Sequence, residues 1–403
     1  MLDVRFPAGP PVSVDFLLGE VTAGGGLTVG DERIRDFLTA FGRRLLRPAL
    51  SRRHPELGSL GFFLRRSELL RTVEGLRGEH CRVPRGLVFH IPPANVDTVF
   101  VYSWALSALM GNRNVVRLSP RAGSVAAIIV ETMRQSLEGA DPVVSATQRV
   151  ICYDRSDSIT AALSSACDLR VIWGGDRAVD EIRKHPLAPH ARDLTFPDRS
   201  SFAVVRAAAW LCAPRPTRVT VAEAFVNDSY WFDQAACSSP RTVFWVGARA
   251  DCDAARADFT EHLSQAVSER GWAVDAAMAV EKRVATYGLA ADGTAGAIDF
   301  RGNALANVTL STAVAAPRRW LGTGTFAHAR LDSLAELIPL VGRRDQTMTH
   351  FGFERAELME LAHALAGRGV DRMVPFGDAL SFHRVWDGVD LAAEFTRLVT
   401  ISA

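Results

Sequence analysis

Cys237 is the residue around which chemistry could be built. It stands in Asn227-Asp228-Ser229-Tyr230-Trp231-Phe232-Asp233-Gln234-Ala235-Ala236-Cys237-Ser238-Ser239-Pro240-Arg241, at the end of an apolar helical stretch and just before Ser-Ser-Pro and a strand. A cysteine at such a turn can offer its sulfur to a cleft, where the thiolate attacks a carbonyl carbon and holds the acyl group as a thioester. The competing assignment is a buried structural cysteine, the common fate of a free thiol. A second candidate is the turn Ile91-Pro92-Pro93-Ala94-Asn95. Two prolines fix its backbone, and Asn95 is placed either to cap a helix or to donate its amide to an oxyanion.

Two further segments suit a phosphate-bearing ligand. Gly174-Gly175-Asp176 lies between a strand and a helix, where glycines let the backbone approach a phosphate at a helix N-terminus. A plain tight turn has the same signature. Arg113, Arg117 and Arg121 flank another strand, and no acidic residue occurs from Arg117 until Glu131. Nothing acidic in that stretch opposes a ribose 2′-phosphate. Three solvated arginines are the alternative in a chain whose only lysines are Lys184 and Lys282. The histidines, among them His90, His328, His350 and His383, have no metal-ligand spacing, so no metal is expected, and G-x-S-x-G, H-E-x-x-H and P-loop motifs are absent.

The elements that must position these residues read as alternating strand and helix. Asp31–Leu46 has helical spacing. Strands are expected at 86–91, 114–118, 149–153, 169–173 and 201–205, with helices from Asp97 to about Met110, from Ser124 to about Leu137, and from about Ser156 and Asp176. Such βα units need crossovers and give a parallel sheet covered on both faces, with ligands at the carboxyl ends of the strands. Ala213-Pro214-Arg215-Pro216 reads as a domain boundary. Beyond it come a helix (about 221–236), a strand (242–246), a long helix (about 253–269), a loop or hairpin over 286–302, and a last strand at 397–401. The reading is therefore a nucleotide-binding domain over 1–212 with an N-terminal extension, a second α/β domain over 213–380, and a tail over 381–403 that returns to the first domain or forms an oligomer interface.

Composition narrows the classes. The chain has 403 residues, 48% hydrophobic and 23% charged, with a net charge of +1. That is ordinary globular composition and excludes a disordered or fibrous chain. The balance gives no overall basic field for nucleic acid. No run is long and apolar enough to span a bilayer, and the first sixteen residues have no signal-peptide pattern. A soluble cytoplasmic protein is expected. The six cysteines form no C-x-x-C pair and are too sparse for a disulfide scaffold.

Four segments together resemble the aldehyde dehydrogenase superfamily, and within it the acyl reductases of bacterial bioluminescence, the fatty acid reductase family. Phe89-His90-Ile91-Pro92-Pro93-Ala94-Asn95 falls where the superfamily has its Pro-Trp-Asn turn. Gly111-Asn112-Arg113-Asn114-Val115-Val116-Arg117-Leu118-Ser119 is similar to its Gly-Asn…Val-Val…Lys strand. Val171-Ile172-Trp173-Gly174-Gly175-Asp176 resembles the Phe-Thr-Gly-Ser turn, and Phe232–Pro240 the helix end that presents the nucleophile. Gly369–Gly377 and Trp386–Leu391 resemble the acyl reductase subgroup specifically. The likeness covers roughly 85–401.

The resemblance implies an aldehyde-dehydrogenase-like α/β fold of two doubly wound domains, one binding cofactor and one catalytic. It implies reduction of an acyl thioester, on coenzyme A or an acyl-carrier protein, through an acyl-enzyme on Cys237. Asn95 and the Cys237 N–H would hold the oxyanion. Arg117, Ser119, Arg121, Gly174 and Gly175 would bind the nicotinamide cofactor, with NADPH favoured over NADH. It also implies a homo-oligomer joined through terminal strands. Two departures stand out. Thr195 falls where aldehyde-oxidising members carry a glutamate base, although Asp198 is close by. No glutamate near Arg319-Trp320-Leu321-Gly322-Thr323-Gly324 matches the Glu-x-Phe-Gly-Pro segment that grips the nicotinamide ribose. Two rivals remain open: a cysteine acyltransferase or thioesterase without hydride transfer, and a non-catalytic acyl-binding partner.

Overall fold

The computed structural model describes all residues except Glu79, Ala94, Asn95 and Ala403. The chain forms two compact units, one of residues 1–197 with 382–403 and one of residues 198–381.

The first unit is built on strands β1 (Asp3–Phe6), β3 (Leu87–Ile91), β4 (Arg113–Leu118), β5 (Gln148–Cys152), β6 (Leu169–Trp173) and β7 (Arg192–Phe196), with β2 (Cys81–Pro84) outside the main sheet. Their order across the sheet is β1-β5-β4-β3-β6-β7. β3 to β7 are parallel and β1 is antiparallel on the edge. Taken from β3, the order is 3-2-1-4-5, so the winding reverses between β3 and β6. That is the topological switch point at which open α/β sheets bind ligands. β3 and β6 are buried along their whole length. This follows from their near-continuous apolar runs, interrupted only by His90 and Arg170, under helices on both faces.

β7 is a strand that periodicity does not reveal. It opens Arg192-Asp193 on a sheet edge, and an edge strand needs no apolar alternation. Asp193 is held by buried Arg170 of the neighbouring β6 through contacts of 2.7 and 2.9 Å. The expected fifth strand of this sheet, Ser201–Val205, instead lies in the interior of the second sheet. The chain accordingly passes into the second unit at Pro197–Asp198, not at Ala213–Pro216. The prolines there start a helix, Arg215–Tyr230, with Pro216 in its first turn, where a missing N–H costs nothing.

The second unit carries β8 (Ser200–Arg206), β9 (Pro240–Val246), β10 (Ala295–Arg301), β11 (Leu305–Leu310), β12 (Thr325–Leu331), β13 (Asp345–Phe351) and β14 (Arg372–Pro375). Their order is β10-β11-β12-β9-β8-β13-β14, parallel except for β10. Apolar clusters cover both faces, one around Phe202, Phe244 and Met348, the other around Val205, Phe225 and Phe259. The segment expected as loop or hairpin over 286–302 is the end of a helix, Ala276–Ala291, followed by β10 of the β10–β11 hairpin.

After Ser381 the chain rejoins the first unit. A short hairpin, β15 (Val385–Trp386) and β16 (Val389–Asp390), precedes β17 (Thr396–Val399), which pairs with β2. Asn112 fixes this return. Its amide donates to the Phe395 carbonyl at 2.8 Å, and its oxygen accepts from Gly86 N at 3.0 Å.

In the second unit, Asp228 is a buried carboxylate whose two oxygens accept from Gly377 N (2.7 Å) and Ala379 N (2.9 Å). Burial pushes it up to about 7, against those hydrogen bonds. A carboxyl raised in the folded state takes up its proton there before the unfolded chain does, so it favours folding increasingly as pH falls from above 7 towards 4. Asp228→Asn has no such term. Its melting temperature relative to the natural protein should be higher at pH 8.5 than at pH 5; thermal melts at the two values check this, and an unchanged difference would contradict it.

Candidate functional site

The loop that carries Cys237 is set by backbone geometry that side chains hold in place. The helix Arg215–Tyr230 ends when Trp231 turns extended (φ −59°, ψ 142°), so it stops short of the expected Ala236. Phe232, Asp233 and Gln234 then adopt left-handed φ values of 55°, 53° and 60°. None is glycine, and such residues cost on the order of 1–3 kcal/mol each.

Gln234 offsets this strain. Its buried amide donates to Pro240 O (2.9 Å) and Thr325 O (3.1 Å), and its oxygen accepts from Thr325 N (3.1 Å). The Asp233 carbonyl accepts from the Trp320 indole (3.0 Å) and the Thr323 hydroxyl (3.3 Å). Thr323 is in turn fixed by Lys282, whose buried ammonium donates to Thr323 O (2.7 Å) and Asn303 O (2.9 Å). Burial pushes Lys282 down to about 8. The segment Arg319–Gly324, which carries no ribose-gripping glutamate, thus braces the cysteine loop. Sequence reading passed over Gln234 and Lys282; a lone lysine in an apolar helical stretch was the available signal.

Cys237 itself is exposed. Its carbonyl accepts from the Ser201 hydroxyl at 2.6 Å, and that oxygen accepts from Thr347 N at 3.1 Å. Ser201 pairs in register with Pro240, so the loop sits over the amino ends of β8, β9 and β13. Beside it is Arg241, whose guanidinium is pushed down by burial and drawn back up by Cys237 and Asp198. A nearby guanidinium favours a thiolate over a thiol.

Ser201 also lines a cavity of about 390 Å³, counting its open mouth. Its apolar wall includes Phe202, Phe244, Val314, Leu337 and Leu340. Arg318 and Asp345 form its polar end, paired through contacts of 3.0 and 2.8 Å.

In the first unit, the predicted cofactor residues gather at the carboxyl ends of β4 and β6. Asn95 lies outside the described residues. Gly174 and Gly175 follow β6, with Gly175 capping the helix Asp176–Arg183. Among the described residues, a side chain at Gly174 would meet Ala178, at 3.4 Å. Trp173, just before it, stacks on Phe196 with ring centroids 3.8 Å apart. Its indole N–H is buried without a partner among the described residues. Arg117 lies over the Tyr153 ring at 4.7 Å, and its Nε is also buried and unpartnered. Ser119 accepts from Arg121 N at 3.2 Å, and Arg121 is exposed.

The acid-free stretch from Arg117 to Glu131 is not free of acid in space. The Asp97 carboxylate accepts from Gly123 N (3.4 Å) and Ala126 N (3.0 Å) at the start of the helix Ser124–Gln135. Thr195 is the penultimate residue of β7, with its hydroxyl 3.4 Å from Arg183. The core histidines are held neutral. His90 bridges Ser103 and Asn114 at 2.9 Å each, and burial pushes it down to about 4. His328 accepts from the Trp245 indole and contacts Asn307 Oδ1, and burial pushes it down to about 3. Among the described residues, no group of three His, Cys, Asp or Glu could hold a metal, and no helix is long and apolar enough to cross a membrane.

Residues 47–280 match the family model described as acyl-CoA reductase (LuxC). The chain belongs to this family. The long-chain acyl-protein thioester reductase of Aliivibrio fischeri is 24% identical over 166 residues, 41% of this chain and 33% of that protein. The protein of the same name from Photorhabdus laumondii is 22% identical over 339 residues, 79% of this chain and 63% of that one. The matches thus span from a third to just under two thirds of these relatives' length.

Solved aldehyde dehydrogenases share the two-domain fold. A putative enzyme from Burkholderia cenocepacia superposes with a TM-score of 0.69 at 16% identity, covering 100% of this chain and 95% of that one. KauB of Pseudomonas aeruginosa gives 0.66 at 12%, covering 96% and 88%. A Mycobacterium tuberculosis aldehyde dehydrogenase complexed with NAD+ gives 0.64 at 11%, covering 97% and 90%.

Gln234→Leu leaves Pro240 O and Thr325 O without this partner, while Thr325 N keeps its bond to Gly322 O (3.2 Å). Each buried group so stranded costs about 1–3 kcal/mol. Urea unfolding should show a loss of several kcal/mol, and alkylation of Cys237 by iodoacetamide, followed by mass, should change rate as the loop is released. An unchanged stability would remove Gln234 as the anchor.

Proposed function

We propose that this protein reduces an acyl thioester to the aldehyde, with NADPH, through a covalent intermediate on Cys237. The observation that carries the reading is an exposed cysteine on a clamped loop beside Arg241, in a chain of the acyl-CoA reductase family. The Cys237 thiolate attacks the thioester carbonyl, a new C–S bond forms, and the donor thiol leaves with a proton. The Cys237 N–H and the Asn95 amide hold the negative oxygen while it exists. A reduced nicotinamide bound in the first unit would supply hydride to the acyl carbon; the carbon–sulfur bond to Cys237 would then break, releasing the aldehyde and the Cys237 thiolate.

The first unit fits such a cofactor: glycines at 174 and 175, at the switch-point end of β6 and the start of a helix, and two buried donors, Arg117 Nε and Trp173 Nε1, without a partner among the described residues. Arg117, Ser119 and Arg121 support the adenine-side ribose and a 2′-phosphate, with Asp97 as the opposing charge. One solved neighbour of the same fold binds NAD+, so NADH is the second cofactor to test.

One feature favours reduction over hydrolysis. Threonine at 195 cannot act as a base near neutral pH, so water is poorly activated against the acyl-enzyme. The cavity wall of Phe202, Phe244, Val314, Leu337 and Leu340 is apolar and shares Ser201 with the cysteine loop. It suits an alkyl chain, in line with the long-chain substrates named for the relatives. Coenzyme A or a carrier protein serves as the acyl donor, and the enzyme acts as a homo-oligomer in the cytoplasm.

Reduced-nicotinamide absorbance with medium- and long-chain acyl-CoA tests the reaction. Thioester-dependent loss of NADPH that disappears in Cys237→Ala is expected. An acyl adduct on Cys237 without NADPH loss would replace the reading with an acyltransferase, and neither signal with a binding partner. Leu340→Trp narrows the cavity from a half-buried position. It should raise KM for a long acyl chain about tenfold, roughly the transfer energy of two methylenes, and leave a short chain unaffected. Equal effects on both lengths would place the chain elsewhere.

A further inference from the structure

The chain is nearly neutral overall, yet its charge is unevenly spread. Residues 43–66 hold seven arginines (43, 44, 47, 52, 53, 65 and 66) and one acid, Glu56. That segment has a net charge of 7 − 1 = +6, so the remaining residues sum to 1 − 6 = −5. Six of the seven arginines are exposed.

Among the described residues, Arg44 pairs with Glu138, and Arg66 with Glu32 and Asp36. Arg43, Arg47, Arg52, Arg53 and Arg65 have no ion pair among the described residues. The fold gathers them. The helices Glu32–Leu45 and Pro55–Phe63 cross at Gly42 and Gly61, where an added Cβ on Gly61 would lie 3.0 Å from Gly42 O. The same crossing brings Leu64 within 2.8 Å of a Cβ on Gly42. Leu46, which precedes Arg47, lies 2.7 Å from an added Cβ on Gly61, the residue before Phe62, while Arg52 and Arg53 lead into the second helix. Phe62 is 50% exposed, and the Arg65 guanidinium lies over its ring at 3.9 Å.

We propose that this surface is the docking site of an acidic protein that carries the acyl group as a thioester. The inference rests on the reductase reading and names the donor for it. Unpaired arginines around a half-exposed aromatic match the composition of protein interfaces, in which Arg and aromatic side chains supply the anchors. Nucleic acid and anionic membrane need positive charge but not the Phe62–Arg65 pair. An acidic carrier meets both features, and the curated relatives are named for acyl-protein thioesters. The −5 balance of the remaining residues repels the same partner elsewhere and so orients its approach.

The test uses the full chain and the triple variant Arg47→Glu, Arg52→Glu, Arg53→Glu. A second triple, Arg249→Glu, Arg355→Glu, Arg368→Glu, makes the same charge change on exposed arginines of the other unit. The probe is a fluorescently labelled acidic acyl carrier protein bearing a tetradecanoyl thioester. Anisotropy should show binding weakened tenfold or more in the first triple and much less in the second, with a shallower salt dependence in the first. Turnover of uncharged decanoyl-pantetheine should be the same in all three proteins.

Equal carrier binding by the natural protein and the first triple would overturn the proposal. So would tighter binding of duplex DNA or phosphatidylserine vesicles that the first triple abolishes. If the natural protein turns over no thioester, the reductase reading fails, and the binding measurement still decides the docking surface.

Discussion

A loop that must expose a sulfur cannot bury itself for stability, so the placement of Cys237 depends on the buried amide of Gln234. Three successive left-handed residues would not persist on their own. Gln234 meets a carbonyl of β9 and both main-chain groups of Thr325 in β12. One side chain therefore ties the turn to two neighbouring strands of the sheet. The Asp233 carbonyl and the Cys237 carbonyl are each held in addition, by Trp320 and Thr323 and by Ser201. The sulfur is the exposed end of a segment whose every other function is to be held.

The first unit solves a comparable problem with a neutral polar network. His90, Asn114, Gln148 and Trp104 are joined by contacts of 2.8–2.9 Å between β3, β4, β5 and the helix Val99–Leu109. Buried polar groups are tolerated only when satisfied, and here they fix the mutual register of the strands that end at the switch point. His90 is kept uncharged by burial, so the network does not change charge near neutral pH. Arg117 and Trp173, farther along their strands, are the exceptions. Each keeps a buried donor unused, on the part of the sheet where ligands bind.

The fold class was legible because parallel strands under two helical layers leave near-continuous apolar runs, as in Leu87–Ile91 and Leu169–Trp173. Periodicity said little about β7, a polar edge strand whose place is set by the Arg170–Asp193 pair across the sheet. It also assigned β8 to the wrong sheet, since an apolar run says that a strand is buried but not between which partners. The end of the helix before Cys237 was misplaced for a similar reason. Ala235 and Ala236 are good helix formers, but tertiary bonds from Gln234 and Asp233 override them. The rule that ligands gather at carboxyl ends of strands applies to Gly174-Gly175, whereas Cys237 stands at the amino ends of its sheet. Only its sequence context singled it out. Asp97 shows the limit of counting acids along a chain: it reaches the helix after β4 from a turn twenty-six residues earlier.

Lys282 shows why the braced loop need not respond to the titrations around it. Burial brings its ammonium down to about 8, close to the range in which an ordinary cysteine becomes a thiolate. A loop that loosened there would lose its geometry as its nucleophile formed. Lys282, however, spends its hydrogens on two acceptors, the carbonyls of Asn303 and Thr323. A neutral amine retains two N–H groups, so both bonds can survive deprotonation, and what is lost is the charge that burial already disfavours. The remaining anchors are an amide, hydroxyls, an indole and main-chain groups, none of which changes charge near neutral pH.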